Sequence, residues 1–222
     1  MSVSMLLDWN EIDTVLLDMD GTLLDLHFDN HFWLSHLPSR YAEHAGLTHE
    51  AASAALNARY AAVQGTLDWY CLDYWSATLG LDIVALKREV AHLIAVHPRV
   101  LPFLDAVRAL GRRAVLVTNA HPASLELKLA RTPLGGRLDA VLSSHEFGLP
   151  KEAPDFWARL REREPFDPAR TLLVDDNPHV LESARVAGIR HLRGVRRPDS
   201  RGDDVVERRF ALIGGFDELM PG

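Results

Sequence analysis

The 222-residue sequence contains only one cysteine, Cys71. A disulfide within the chain is therefore excluded, and this cysteine usage is typical of proteins that function in a reducing compartment. We expect a cytoplasmic location. Since no partner residue for a thiol nucleophile is evident, we expect Cys71 to be a core residue.

Long apolar runs are also missing. No stretch approaches the roughly 18 apolar residues that a membrane-spanning helix requires. Residues 1–11, MSVSMLLDWNE, lack the basic segment and the long apolar segment of a signal peptide. These absences predict a soluble protein that has no membrane partner.

Positive charge is scarce relative to negative charge. The chain has 24 Lys and Arg residues against 31 Asp and Glu residues, a formal net charge of −7. A nucleic-acid partner requires a basic surface, and the one basic run, residues 185–198, is interrupted by apolar residues at strand spacing. That pattern predicts the solvated face of a late strand, and no nucleic-acid partner is expected.

Short apolar runs rich in Val and Leu predict a parallel β-sheet, because continuous apolar runs are typical of strands buried on both faces. Four clear runs and a fifth, weaker one span residues 14–19, 113–119, 139–144, 171–176 and 189–195. Helical apolar spacing follows between the later runs, over residues 102–111, 122–132, 153–164 and 175–189. This alternation of strands and helices predicts a doubly wound α/β domain.

Residues 26–98 break the alternation because they contain no strand-like run. Helical patterns or good helix formers occupy residues 49–65, 69–80 and 82–96. We therefore predict an α/β core made of residues 1–25 and 99–222, with a helical domain, residues 26–98, inserted after the first strand. The charged residues after Ser200 have no clear pattern.

Polar side chains follow the ends of the predicted strands. In an open parallel sheet, ligands bind beyond the carboxyl ends of the strands, so we expect these side chains to converge. They are, in chain order, Asp18, Asp20, Thr22, Thr118, Asn119, Lys151, Asp175 and Asp176. Each motif alone is compatible with a turn, a helix cap or a solvated lysine, but all of them at one sheet edge favour a functional site.

The grouped carboxylates predict a hard cation. Carboxylates that are packed together repel one another unless a cation lies between them, and Mg²⁺ prefers such oxygen ligands together with phosphate and water. The Thr118 hydroxyl and the Lys151 ammonium would then hold the charge of a phosphoryl group. This constellation is typical of phosphoryl transfer with a carboxylate nucleophile.

Four stretches resemble, in order, the motifs of the haloacid-dehalogenase superfamily of phosphohydrolases. They are DMDGT (18–22), VLVTN (115–119), GLPKEAPDFW (148–157) and LLVDDNPHVLESARVAGI (172–189). The resemblance implies a Rossmann-like core, a helical cap formed by the insertion, and Mg²⁺ as cofactor. It also implies that Asp18 is the nucleophile and Asp20 the general acid and base. The implied phosphate binders are Thr118, Asn119 and Lys151, and the implied Mg²⁺ ligands are Asp18, Asp175 and the Asp20 backbone carbonyl, supported by Asp176.

A narrower resemblance is to bacterial GMP/IMP nucleotidases, over residues 13–33, 67–83, 118–129 and 145–152. It implies a purine nucleoside monophosphate as substrate, selected by the cap because the core binds only the phosphate. We expect Asp73 and Tyr74 to contact the base, although an aromatic stripe at helical spacing is often core. His121 is expected either to approach the phosphate or to cap the following helix. Further candidates are Asp25, His27, Asn30, Trp33, Tyr70 and Trp75.

Other functions remain open on these residues. Dehalogenases of the superfamily use the first aspartate but lack the second carboxylate and need no Mg²⁺, so Asp20 argues against dehalogenation. A sugar-phosphate mutase, a phosphoglycolate phosphatase or a pyrophosphatase would keep every motif. A regulatory protein on this fold would be expected to have lost a catalytic residue, and none is lost.

Overall fold

A parallel sheet of six strands forms the centre of the computed structural model, which describes residues 7–221. Its strand order is β3-β2-β1-β4-β5-β6. The strands are β1 Thr14–Leu17, β2 Arg113–Thr118, β3 Ala140–Ser143, β4 Thr171–Val174, β5 His191–Val195 and β6 Leu212–Ile213. All the pairings are parallel, so the carboxyl ends of the strands lie at one edge of the sheet. The predicted doubly wound α/β core is confirmed.

Helices surround this sheet and fill the segment between β1 and β2. The α-helices of residues 7–221 are α1 His27–His31, α2 Leu37–Ala45, α3 His49–Val63, α4 Leu67–Tyr70, α5 Leu72–Leu79, α6 Ile83–Glu89, α7 Val100–Ala109, α8 Pro122–Arg131, α9 Phe156–Arg163 and α10 Pro178–Val186. A π-helical turn, Phe32–His36, joins α1 to α2. Short 3₁₀ turns are Trp9–Glu11, Ala91–Leu93, Gly135–Arg137, Ser144–Phe147, Pro168–Arg170 and Phe216–Leu219. None of these helices is long and apolar enough to cross a membrane.

Alternate residues of the strands face two separate apolar layers, as the twofold period of a strand requires. On one face, β1 residues Val15 and Leu17 pack with α7, whose Phe103 and Leu104 are fully buried. On the other face, Leu16 belongs to the layer that includes α9 and α10. Because helices cover both faces, the strands are apolar on both sides, and polar side chains occur where the strands end.

The insertion between β1 and β2 is helical, as predicted, and contains an apolar cluster of its own. Its centre is formed by buried aromatic and aliphatic side chains, including Phe28, Phe32, Leu56 and Trp75. The two connections to the sheet run side by side and antiparallel, with a bridge between Leu24 and Val96. The limits of a separate cap domain at residues 26 and 98 stay a prediction.

Three elements differ from the sequence-based expectation. The helix predicted over 69–80 is broken at Cys71, which has extended backbone angles and whose Sγ accepts the Tyr74 N–H at the start of α5. The helix predicted over 82–96 ends at Glu89, because residues 95–97 return beside the first connection: the Asp25 N–H donates to the Ala95 carbonyl at 2.9 Å. Strand β6 was not predicted from the sequence, because two consecutive apolar residues are too few to indicate a strand.

Candidate active site

One cavity of about 490 Å³ opens at the carboxyl edge of the sheet. The strand register places Leu17 between Leu116 and Val174, so β1 and β4 end at the same level and β2 continues for two more residues to Thr118. The cavity is lined by the predicted core residues Asp18, Asp20, Thr118, Asn119, Lys151, Asp175 and Asp176. The structure therefore brings all of these predicted side chains together.

Lys151 lies at the bottom of this cavity and is 1% exposed. Its Nζ donates to Asp18, to Asp175 Oδ2 at 2.7 Å and to the Val117 carbonyl at 3.0 Å. Burial alone would lower the pKa of Lys151, but the carboxylates of Asp175 and Asp18 hold it above its ordinary value. Lys151 is thus an ammonium that is positioned to hold negative charge beside Asp18.

The loop after β3 holds Lys151 in place. The Lys151 backbone N–H donates to Asn119 Oδ1 at 2.9 Å, and Asn119 Nδ2 donates to Glu152 Oε2 at 3.0 Å. Glu152 also accepts from Tyr70 Oη at 2.6 Å and from Asn177 Nδ2 at 3.0 Å. This glutamate was not predicted from the sequence, and its only signal there is its position next to Lys151.

Asp18, Asp175 and Asp176 form an excess of buried negative charge. Their carboxylate oxygens lie within 4.8 Å of one another. Burial raises the pKa of Asp18 to about 6 although Lys151 opposes the shift, and burial followed by the charges of Asp18 and Asp175 raises the pKa of Asp176 well above its ordinary value. One ammonium does not balance three carboxylates, so the donor set fits a divalent cation with oxygen ligands.

Gly21 leaves the space that Asp176 occupies. A Cβ at Gly21 would lie 2.6 Å from Asp176 Oδ2, and the φ of Gly21 is +80°. Both the close approach and the left-handed backbone require glycine. The glycine of the DMDGT motif therefore allows the first and fourth motifs to meet.

The Asp20 carboxylate contacts a buried chain of charges that was not predicted. Lys128 Nζ lies 2.6 Å from Asp20 Oδ1 and 2.7 Å from Asp29 Oδ2, and Lys87 Nζ lies 2.6 Å from Asp29 Oδ1. Both lysines are no more than 2% exposed. Burial raises the pKa of Asp20 to about 6, while Lys128 opposes the shift. Asp20 can therefore carry a proton close to neutral pH.

The cap candidates divide into two groups. Asn30, Trp33, Tyr70 and Trp75 line the cavity, and Trp69, which was not predicted, lines it as well. Asp73 and Tyr74 are not among the lining residues of residues 7–221, and the Asp73 side chain is 84% exposed.

The remaining candidates are placed around the entrance to the insertion and at the start of α8. Asp25 accepts hydrogen bonds from the backbone N–H groups of His27 and Ser200. His121 both lines the cavity and caps α8, its Nδ1 accepting from the Ala123 N–H at 3.3 Å. The capping role expected for His121 is confirmed, and its approach to the phosphate stays a prediction.

Comparison with known proteins agrees with this geometry. A family model described as haloacid dehalogenase-like hydrolase matches residues 12–188. The GMP/IMP nucleotidase YrfG of Escherichia coli is 43% identical over 213 residues, which are 96% of each chain.

Two solved structures share the fold. The HAD phosphatase from Thermococcus onnurineus superposes with a TM-score of 0.79 at 22% identity, covering 94% of this chain and 96% of that one. The HAD-hydrolase YfnB from Bacillus subtilis, solved bound to magnesium, superposes with a TM-score of 0.60 at 18% identity over 94% and 96% of the two chains. Because the family model spans most of the sequence and all four motifs, this chain belongs to the haloacid dehalogenase-like hydrolases.

Proposed function

We propose that the protein is a phosphoric monoester hydrolase that dephosphorylates purine nucleoside 5′-monophosphates, with GMP and IMP preferred. The observation that carries the proposal is the composition of the single cavity around Asp18. Its lining combines carboxylates and Lys151 with aromatic side chains that include Trp33 and Trp69. The 43% identity to a GMP/IMP nucleotidase over nearly the whole chain supports this choice of substrate.

Asp18 is the proposed nucleophile. Its carboxylate oxygen attacks phosphorus, the bond from phosphorus to the nucleoside 5′-oxygen breaks, and that oxygen takes a proton from Asp20. In the second step Asp20 accepts a proton from water, whose oxygen attacks phosphorus, so that phosphate leaves and Asp18 is restored. Lys151 and Thr118 hold the phosphoryl oxygens in both steps.

Mg²⁺ is the proposed cofactor, held by Asp18, Asp175 and the Asp20 backbone carbonyl, with Asp176 in support. When bound, it supplies positive charge that offsets the charge on the phosphoryl group and on the nucleophile. The excess of buried carboxylates described above supports this assignment. The reducing cytoplasm is the proposed compartment, because the chain has a single cysteine.

Among the aromatic lining residues, we propose that the base packs against Trp33, Trp69 and Tyr70. The Trp33 and Trp69 rings both pack edge-on against the Tyr60 ring, with ring centroids 6.0 and 5.6 Å apart, and the Tyr60 hydroxyl donates to the Trp33 carbonyl at 3.2 Å. Rigid aromatic surfaces bind a planar base at low entropic cost. Selection of a 6-oxo purine by Asp73 or Tyr74 stays a prediction.

The test is a comparison of kcat/KM for GMP, IMP, AMP and phosphoglycolate. GMP and IMP are expected to be the best substrates, since a site that hydrogen-bonds a 6-oxo group leaves its own polar atom unpaired with AMP. Trp69→Ala and Asp73→Ala are expected to bring kcat/KM for GMP closer to kcat/KM for AMP. Lys151→Met is expected to lower kcat/KM for every substrate to a similar extent. Asp18→Asn should keep the fold and show no turnover, and it measures the background.

The outcomes separate the alternatives. Preference for phosphoglycolate or a sugar phosphate over GMP would overturn the nucleotidase proposal and leave a phosphatase of another metabolite. Conversion of a sugar phosphate to its isomer without phosphate release would indicate a mutase. A tenth of wild-type activity in Asp18→Asn would overturn the assignment of the nucleophile.

A further inference from the structure

A second group of metal-ligating side chains lies beside the cavity, apart from the carboxylates. The ligand atoms of Cys71, His121 and His145 lie within 4.8 Å of one another. Cys71 is at the break between α4 and α5, His121 precedes α8, and His145 is in the 3₁₀ turn after β3. Three segments distant in sequence therefore bring one sulfur and two imidazoles to the same point.

His145 provides an independent indication that a ligand belongs there. Its Nε2 is buried and has no hydrogen-bond partner among residues 7–221. A buried polar atom in a native protein is almost always paired, with protein, water or an ion.

Cys71 supplies the sulfur donor of this group. The Cys71 Sγ accepts the Tyr74 N–H at 3.5 Å at the start of α5, where the helix dipole favours negative charge. The Asp73 carboxylate contacts His121 Nε2 at 3.5 Å but lies outside this group of three. Sulfur and imidazole ligands favour Zn²⁺ over Mg²⁺, which prefers oxygen.

We propose that Cys71, His121 and His145 bind a zinc ion. Binding through His121 Nε2 places the ring proton on Nδ1, so the 3.3 Å hydrogen bond from the Ala123 N–H is given up. The ion would tie the insertion, which supplies Cys71, to the loops that follow β2 and β3. It would lie at the wall of the cavity, because His121 lines it.

The test is a cobalt titration of the metal-free full-length protein in excess Mg²⁺, which occupies the carboxylates. Cobalt bound to a thiolate gives a charge-transfer absorption, and Cys71 is the only cysteine in the chain, so this band can come from no other residue. One equivalent of cobalt is expected to develop the band fully, and one equivalent of zinc to abolish it.

Variants identify the ligands. Cys71→Ser is expected to lose the band, and His145→Gln and His121→Gln to weaken zinc binding at least tenfold, measured by competition with a chromophoric chelator. The exposed His92→Gln is the matched histidine control, and Asp175→Asn is the control for the carboxylate site; both should keep the band and the zinc affinity. Far-ultraviolet circular dichroism checks that each variant is folded.

Absence of the band in the folded wild-type protein would overturn the proposal. So would a band that persists unchanged in both histidine variants, since Cys71 alone would then hold the ion. The experiment needs no substrate, and its result is therefore independent of the nucleotidase proposal.

Discussion

Asp20, Lys128, Asp29 and Lys87 form a buried row of alternating charge that ends at the proposed general acid. Each lysine has a carboxylate oxygen within 2.7 Å, and the row as a whole is neutral. Charges that are buried this deeply are tolerated only when they are paired, and removal of one partner leaves an uncompensated charge. Lys128 therefore both stabilises the fold and fixes the position of the Asp20 carboxylate.

Lys128→Met, which keeps the length of the side chain but removes the charge, is expected to lower both stability and turnover. The free energy of unfolding should fall by about 3–5 kcal/mol, because Asp20 and Asp29 lose their shared partner. The kcat for GMP should fall on the order of 100-fold, because a displaced Asp20 carboxyl no longer donates its proton to the leaving oxygen in the correct geometry. Urea denaturation and steady-state kinetics measure the two effects.

Lys87→Met is the matched control, because Lys87 contacts Asp29 and not Asp20. It should destabilise the protein to a similar extent with a smaller loss of kcat. Adding Asp29→Asn to Lys87→Met restores the balance of charge, so the double variant should be more stable than Lys87→Met alone. Equal loss of kcat in Lys128→Met and Lys87→Met would contradict a specific role for Lys128.

The sequence predicted the residues at the strand ends but not this row of charges, and the reason is geometric. Asp18 and Asp175 follow strands and Thr118 ends one, and parallel strands bring their carboxyl ends to one edge whatever the length of the chain between them. Lys128 and Asp29 lie on helices and are 99 positions apart. No periodicity specifies which face of one helix meets which face of another, so this contact required the structure.

At the level of elements, the break at Cys71 is one of three features that the sequence did not predict. Residues 69–80 have continuous helical spacing, and their helix propensities give no reason for an interruption. In the structure, α4 ends at Tyr70, whose hydroxyl reaches Glu152 in the loop after β3. A continuous helix would point this hydroxyl elsewhere, so a tertiary contact overrides the local preference.

Tyr70→Phe is expected to weaken the attachment of α4 to the core. Loss of one hydrogen bond to a carboxylate should lower the free energy of unfolding by about 1–3 kcal/mol. The KM for GMP should rise more than kcat falls, because the change alters the wall of the cavity and not the reacting groups. Tyr41→Phe, outside the cavity lining, is the control. An unchanged KM in Tyr70→Phe would show that this contact does not shape the substrate site.

The molecule as a whole carries a formal charge of −7, and part of this excess is concentrated at the bottom of its cavity. Repulsion among Asp18, Asp175 and Asp176 opposes folding, and a cation that binds only the native state relieves it. The site proposed for catalysis is therefore also a place where the metal-free protein loses stability.

Mg²⁺ is expected to raise the melting temperature of the wild-type protein and to be required for turnover. EDTA should stop hydrolysis reversibly, and Ca²⁺ should bind but support little turnover, because its looser coordination misdirects the Asp18 oxygen. Differential scanning fluorimetry and phosphate release measure these effects. In Asp175→Asn, Mg²⁺ should raise the melting temperature much less than in the wild-type protein. Full activity in EDTA would contradict the magnesium assignment.

The antiparallel bridge between Leu24 and Val96 has a consequence for how such proteins change over time. Since the insertion leaves and re-enters the core at neighbouring points, everything between them is topologically a surface loop. Its replacement by another insertion alters neither the strand order nor the four motifs, and the entropy of closing such a loop depends only weakly on its length. The surface proposed to select the substrate can thus change while the strand order and the four motifs are kept, as long as the insertion still supplies Asp29 as the partner of Lys128.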